Sequence, residues 1–213
     1  MKRVRIRKIT ALAGAIVLVC LSLLPFFSFA LDGTDGKIQW ELSAGTLVIS
    51  GKGEMRDYTD AHMAPWFDSA SAIKRIVVKE GITSIGDLAF YNCDKALFVA
   101  LPESVTKIGN RAFKNCFSLV GIQLPKSLET IGEASFEACA ALKSLDMPQA
   151  LRSIGNYAFI NCTVLSTVSI PQGVTELGRV AFAYCTGLTR AEILCPLTRV
   201  PDWTFYGCTA LRA

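Results

Sequence analysis

The sequence predicts a repeat solenoid of α/β type, in which short parallel strands alternate with returns made of turns or short helices. Two rows of residues carry this prediction. Cysteine recurs every 23 residues at six positions, and phenylalanine recurs at the same interval, three residues earlier. A fixed period of this length is typical of arrays in which each unit is stabilised by stacking on its neighbours. The two rows are Phe90 and Cys93, Phe113 and Cys116, Phe136 and Cys139, Phe159 and Cys162, Phe182 and Cys185, and Phe205 and Cys208.

Each unit begins with the alternation of a strand that has one buried face. In one unit, Ile122 and Leu124 are the apolar positions, and Pro125 then ends the strand because proline cannot donate to a ladder inside a sheet. The segment Ile-Gly-x-x-Ala-Phe-x-x-Cys then returns across the opposite side as a turn or short helix. We therefore expect one strand per unit within 73–213. The units are 73–95, 96–118, 119–141, 142–164, 165–187 and 188–210, with the start of a seventh at 211–213.

Residues 31–72 precede the repeats and predict a β-hairpin. Apolar residues alternate from Ile38 to Leu42, a Ser-Ala-Gly turn follows, and the alternation resumes at Leu47. Terminal repeats of a solenoid need a cap, because their outer apolar face has no neighbour. We expect the hairpin, together with Trp66, to cover the first repeat.

The repeat unit resembles the BspA-type leucine-rich repeat of bacterial surface proteins. That unit reads close to Leu-x-x-Ile-x-Ile-Pro-x-x-Val-x-x-Ile-Gly-x-x-Ala-Phe-x-x-Cys, and the similarity extends over 73–213. Residues 36–66 also look like the segment that often precedes such repeats, through Trp40, Gly45 and Pro65-Trp66. The resemblance implies a right-handed leucine-rich-repeat stack. It also implies adhesion and contact with a host or matrix at the cell surface.

The N-terminus predicts a secretory signal peptide over residues 1–30. Five lysines and arginines precede an apolar run from Ile9 to Phe29, and Ser28 and Ala30 are the small residues that a signal peptidase requires. A retained transmembrane anchor is the alternative, since about 20 apolar residues can span a bilayer. Pro25 and the small residues favour cleavage after Ala30, which gives a secreted or cell-surface protein.

The charge of the remaining chain excludes one class of partner. The sequence has 22 lysines and arginines against 18 acids, but five of the cations lie in residues 2–8. Without them the chain is close to neutral, so we expect no nucleic-acid binding. Membrane contact is expected only through the export signal or through a C-terminal anchor that this sequence does not contain. Because the chain stops three residues into a seventh unit, we expect a fragment of a longer surface protein.

The cysteines predict buried free thiols. Equivalent side chains of stacked repeats point in one direction, which suits a disulfide poorly. Disulfide bridges and a metal site are the alternatives. Cys195 lies outside the regular row, at the position of Gln172 and Lys126 in other units, and we expect it in an exposed turn.

Catalytic chemistry is poorly supported, so we expect neither an enzyme nor a bound cofactor or metal. His62 is the single histidine, and no nucleophile, phosphate or zinc motif is present. Asp57 and Asp60 lie near His62, but a solvated loop explains this cluster. The sequon at Asn161 is interpreted as accidental, because Cys162 belongs to the buried row.

The outward residues of the strands are the candidate binding residues, since successive strands of a solenoid form one continuous surface. We expect this surface to bind an extracellular protein or glycan, and Phe98 and Arg190 are the residues to mutate first. The alternative is a structural spacer that carries a separate functional domain. The candidate residues are Arg75, Phe98, Gln123, Ser144, Asp146, Thr167, Ser169, Arg190 and Glu192.

Overall fold

The computed structural model describes residues 30–212 and the backbone of Arg5 and Ile6. Its strands form a seven-stranded sheet in the order β1-β2-β3-β4-β6-β8-β10, a six-stranded sheet in the order β14-β12-β11-β9-β7-β5, and the pair β13-β15. The strands are β1 Arg5–Ile6, β2 Leu31–Asp35, β3 Ile38–Ser43, β4 Thr46–Gly51, β5 Gly53–Glu54, β6 Arg75–Val78, β7 Ile82–Ile85, β8 Phe98–Ala100, β9 Lys107–Ile108, β10 Gly121–Gln123, β11 Thr130–Ile131, β12 Ser153–Ile154, β13 Thr167–Ile170, β14 Glu176–Leu177 and β15 Arg190–Ile193.

The predicted hairpin is formed by β3 and β4, which pair antiparallel over their full length. Strand β2 adds to its outer side, and β1 pairs with Leu31 and Asp32 of β2. On the other side, β4 pairs parallel with β6, so that Leu47 lies opposite Ile76. The N-terminal strands and the first repeats therefore share one sheet.

Each of the first five units contributes a second strand, which the sequence analysis did not predict. These strands are β7, β9, β11, β12 and β14, and they place one apolar residue of each unit in a parallel row. The expectation of one strand per unit is therefore wrong. Strands of two residues, such as Lys107–Ile108, are too short to produce an alternation that can be recognised in the sequence. The buried row is Ile85, Ile108, Ile131, Ile154 and Leu177.

The returns are not helical, so the expected α/β character is also corrected. Within residues 30–212 the one helical segment is a 3-10 helix at Phe67–Ala72, before the repeats. The returns cannot continue as helices, because two residues in each have a left-handed backbone, such as Arg111 and Asn115 with φ of 53° and 63°. Every second backbone N–H group of a return instead donates to a carbonyl oxygen of the next unit. The nitrogen of Phe90, for example, donates to the oxygen of Ala112 at 2.8 Å. The fold is a β-solenoid whose third side is a ladder of turns.

The glycine of each Ile-Gly pair allows adjacent units to approach closely. A Cβ at Gly109 would lie 2.6 Å from the backbone nitrogen of Asp87 in the preceding unit, and one at Gly178 would lie 2.3 Å from that of Asn156. Both distances are shorter than van der Waals contact. The sequence needs glycine here because two backbones pass each other.

The phenylalanine row forms the centre of the core. Successive rings from Phe90 to Phe205 stack with centroids 5.0 to 5.7 Å apart, and all but Phe205 are fully buried. The cysteine row supports it: the thiol of Cys139 donates to the carbonyl oxygen of Phe113 at 3.3 Å, and the other thiols from Cys116 to Cys208 make the equivalent bond at 3.1 to 3.4 Å. The thiols are free, and those from Cys116 to Cys208 each add a second hydrogen bond to a carbonyl that already accepts one from a backbone nitrogen.

Residues 46–72 form a degenerate unit of the solenoid. Strands β4 and β5 occupy the places of the two strands of a repeat, and Trp66 takes the place of the phenylalanine. The Trp66 ring stacks on Phe90 at 5.9 Å, and its Nε1 donates to the carbonyl oxygen of Ala89 at 2.7 Å. The C-terminal half of the predicted hairpin segment is therefore built as a repeat.

Cys195 is buried, with 7% of its surface exposed, so its predicted exposure is wrong. In this last unit Leu194 stands where four of the five other units carry proline, and a proline follows two residues later as Pro196. The backbone nitrogen of Leu194 donates to the carbonyl oxygen of Ile170, and the Leu194 side chain is exposed. The following residue, Cys195, then turns towards the core.

Candidate functional site

The outward side of the first row of strands, here called the strand face, carries the nine candidate residues. All nine are exposed except Glu192, which is half-buried. Arg75 and Phe98 lie side by side on β6 and β8. The other seven lie further along the solenoid, between β10 and β15.

The strand face is interrupted in the unit 142–164, where the expected strand at residues 144–147 does not form, although β12 of the same unit does. The sheet ends at β10, and pairing resumes only between β13 and β15. Leu145 remains buried, so the unit stays in the stack, but the bond from the nitrogen of Lys143 to the oxygen of Val120 is stretched to 3.4 Å. Aspartate is disfavoured in strands, and Asp146 stands at the position that Gln123, the last residue of β10, has in the preceding unit. This residue was the available sequence signal for the interruption.

Two depressions flank the interruption. The first, of about 480 Å³, is lined by Gln123, Ser144 and Asp146, together with Lys126, which the sequence analysis did not single out. The second, of about 410 Å³, lies on the other side of Asp146. Asp146 and Met147 are common to both, and six of the other eight candidate residues line one or the other depression. The candidates that line the second depression are Asp146, Thr167, Ser169, Arg190 and Glu192.

The two depressions combine polar groups with apolar side chains and are almost neutral. Arg190 donates to the Glu192 carboxylate at 2.5 Å, so these two charges offset each other. Asp146 and Lys126 carry one charge of each sign. Hydroxyl, amide and carboxylate groups can exchange directional hydrogen bonds with a partner, which gives specificity rather than long-range attraction.

The residues near His62 make hydrogen bonds and an ion pair with the first repeats. The Asp57 carboxylate accepts from the backbone nitrogen of Asp87 at 2.9 Å, and His62 exchanges both backbone hydrogen bonds with Thr59. Asp60 lies 3.9 Å from a guanidinium nitrogen of Arg111. In the described part of the chain, no group of three or more histidine, cysteine or acidic residues is arranged to hold a metal ion.

The stacked parallel strands define the chain as a repeat β-solenoid. A family model described as the BspA type leucine-rich repeat region matches residues 83–212 in six copies. The chain belongs to this family. No curated protein matches the sequence.

Solved structures of bacterial leucine-rich-repeat proteins have a similar fold. One from Bacteroides ovatus is 29% identical with a TM-score of 0.64, and the match covers 84% of this chain and 45% of that one. The chain thus spans less than half the length of that relative. A leucine-rich-repeat protein of T. pallidum is 23% identical with a TM-score of 0.58, over 85% of this chain and 91% of that chain. A leucine-rich cell surface protein of Faecalibacterium prausnitzii is 22% identical with a TM-score of 0.52, over 78% and 55%.

The predicted signal peptide lies outside the described residues, apart from the backbone of Arg5 and Ile6. Among the residues that are described, no helix has the length and apolar character needed to cross a membrane.

Proposed function

We propose that the chain is a secreted or cell-surface module that binds an extracellular protein or glycan through the strand face around Asp146. The observation that carries the proposal is the interruption of the sheet at this residue, with a depression on each side. A regular solenoid has no structural need for this break. Membership of the leucine-rich-repeat family supports a role in binding rather than catalysis, and adhesion is the expected outcome.

Export rests on residues 1–30, which we propose are removed after Ala30. The cell-surface description of the Faecalibacterium neighbour is consistent with this location. Strand β2 pairs with β3 over five residues, so the N-terminal sheet keeps its order without β1. N-terminal sequencing of protein from the culture medium should begin at Leu31. Protein that stays with the membrane and begins at Met1 would instead favour the retained anchor.

A binding assay with charge-matched variants tests the strand face. The purified chain is presented to immobilised collagen, laminin and fibronectin and to a glycan panel, and any captured ligand is titrated against Asp146→Asn and Glu133→Gln. Both variants remove one exposed carboxylate, but Glu133 lies on the return side of its unit, away from the strand face. We expect Asp146→Asn to weaken binding at least tenfold and Glu133→Gln to leave it unchanged. Equal effects of both variants would contradict the proposal, and capture of no ligand at all would favour the spacer.

A further inference from the structure

A cluster of exposed aromatic rings lies on the return side of the last two units, away from the strand face. Tyr184, Trp203 and Tyr206 are 44%, 66% and 57% exposed. The Tyr184 and Tyr206 rings meet edge to face at 5.4 Å, and Trp203 contacts Tyr206 at 6.4 Å. These three residues are called the aromatic platform below.

Two rings of the platform, Tyr184 and Trp203, are not exposed merely because they lie near the end of the stack. Tyr157 occupies the position of Trp203 two units earlier, and it is 42% exposed although units stack on both of its sides. Tyr184 likewise lies in a unit that has a neighbour on each side, with its nitrogen bonded to the oxygen of Tyr206. Large side chains at the position of Trp203 thus stay exposed inside the stack, as Tyr157 does, whereas the position of Tyr206 is half-buried or buried in every earlier unit. The exposed surface of the platform is therefore carried by Trp203 and Tyr184, and Tyr206 packs beside them.

Two of the rings are held in a backbone conformation that disfavours them. Tyr184 and Trp203 have φ of 57° and 60°, in the left-handed region where asparagine and glycine are preferred. At the position of Tyr184, three other units carry asparagine, as at Asn161. Gly207 provides room for the ring, since a Cβ there would lie 2.6 Å from Cδ1 of Tyr184. The left-handed backbone recurs at both positions in every unit, so it belongs to the repeat, and what distinguishes Tyr184 and Trp203 is the large aromatic ring that each places there.

The charges beside the platform are unbalanced. Asp202, which directly precedes Trp203, is contacted by two guanidinium groups: Arg179 at 3.7 Å and Arg199 more closely. The side chains of Arg179, Arg199 and Asp202 are 63%, 75% and 45% exposed, so a ligand can reach them. One carboxylate cannot neutralise two guanidiniums, and a net positive charge remains.

We propose that the aromatic platform binds an acidic saccharide, with a uronic or sialic acid residue as the recognised unit. The C–H face of a sugar ring is slightly positive and packs on the electron-rich face of an indole or phenol ring. The sugar carboxylate then complements the excess charge of Arg179 and Arg199, whose planar guanidinium groups suit a carboxylate. Two cations are too few for a nucleic acid, whose binding scales with the number of phosphates neutralised.

The site has its own spectroscopic reporter. The chain has three tryptophans; Trp40 and Trp66 are buried, and Trp203 is exposed. Tryptophan fluorescence of the full chain is titrated with trigalacturonate, a hyaluronan hexasaccharide and sialyllactose. We expect at least one of them to shift the emission to the blue and to protect Trp203 from acrylamide quenching. The methyl ester of the same saccharide, which has the same shape without the charge, should bind at least tenfold more weakly.

The variants separate binding from folding. Trp203→Asn and Tyr184→Asn introduce a residue that suits the left-handed backbone, so we expect no loss of Tm but at least a tenfold loss of saccharide affinity, measured by calorimetry. Arg199→Gln should weaken binding of the acidic saccharide and leave the affinity for its methyl ester unchanged. Phe117→Ala, another exposed aromatic in an earlier unit, is the control and should bind normally.

Three results would overturn the proposal: no binding of any of the three acidic saccharides, equal binding by the chain and by Trp203→Asn, or equal binding of the methyl ester. A poly-glutamate peptide is titrated in parallel. If it binds more tightly than the saccharides and loses affinity in Trp203→Asn, the platform recognises acidic protein segments instead. The outcome is independent of the strand face, because none of these variants alters it.

Discussion

The inward rows and the strand face of this solenoid follow opposite rules. Inside, the same residue type recurs from unit to unit, the rings stack at nearly constant distance, and each thiol from Cys116 to Cys208 finds the same carbonyl acceptor. On the strand face the residue type changes in every unit, and at Ser144–Met147 the strand itself is lost. The regular inside tolerates this break because Leu145 stays buried and the ring stack continues past it. Stability and recognition are therefore carried by different rows of the same repeat.

The largest expected effect is the loss of a ring from the middle of the stack. Phe136 is fully buried between two rings at 5.2 Å. Phe136→Ala should lower the free energy of unfolding by about 3–5 kcal/mol, through lost burial and the remaining cavity. Urea unfolding followed by circular dichroism measures it.

Phe205→Ala is the matched control, because Phe205 is only partly buried and has a ring on one side. It should cost less than half as much. Equal costs at the two positions would show that the inward row does not carry the stability in the way that the stacking implies.

The second effect tests the thiols and depends on pH. Burial raises the pKa of Cys162 from 9.0 to about 12, and burial together with the charge of Asp94 raises that of Cys93 to about 12. The protonated thiol is favoured in the fold, so its stabilisation is complete below pH 9 and is lost as the pH rises from 9 to 12. In that range each such thiol should lower the free energy of unfolding by about 1.4 kcal/mol per pH unit.

The measurement is the urea midpoint between pH 8 and pH 11, for the chain and for Cys162→Ala. The variant is expected to start less stable and to lose stability less steeply, by one thiol. Parallel slopes would mean that Cys162 ionises normally in the folded protein. Native mass spectrometry, with and without reductant, would show the same mass if the thiols are free.

The inward rows were the part that the sequence could predict. The rows of Phe90 and Cys93 gave the period, and the alternation at Ile122 gave the first strand of each unit. The second strands were not predicted, because pairs such as Thr130–Ile131 have too few residues to show an alternation and are formed by pairing with the neighbouring unit. The helical interpretation of the returns failed for a related reason. Left-handed residues there include Arg111 and Tyr157, whose identities do not signal that conformation.

The candidate site was predicted as a set of residues but not as a shape. Outward positions follow from alternation alone, and Gln123 and Thr167 are exposed on the strand face. The two depressions lie beside residues 144–147, where the strand pairing is lost, and alternation in the sequence does not show where a ladder breaks. Burial of Cys195 likewise follows from a displaced proline, which alters the path of the chain rather than its composition.

The smallest expected effect bears directly on the difference between the inward rows and the strand face. It tests whether the break in the strand face lowers the stability of the fold. Threonine is favoured in strands where aspartate is disfavoured. Asp146→Thr should therefore restore pairing with β10 and β13 and raise the free energy of unfolding by about 0.5 kcal/mol. Hydrogen exchange at residues 144–147 should slow as the ladder forms, and the control Asp146→Asn should change neither quantity. If the threonine variant is more stable and binds its ligand less well, the broken strand is maintained for recognition at the expense of stability. If exchange stays fast, the break is set by the neighbouring units rather than by Asp146.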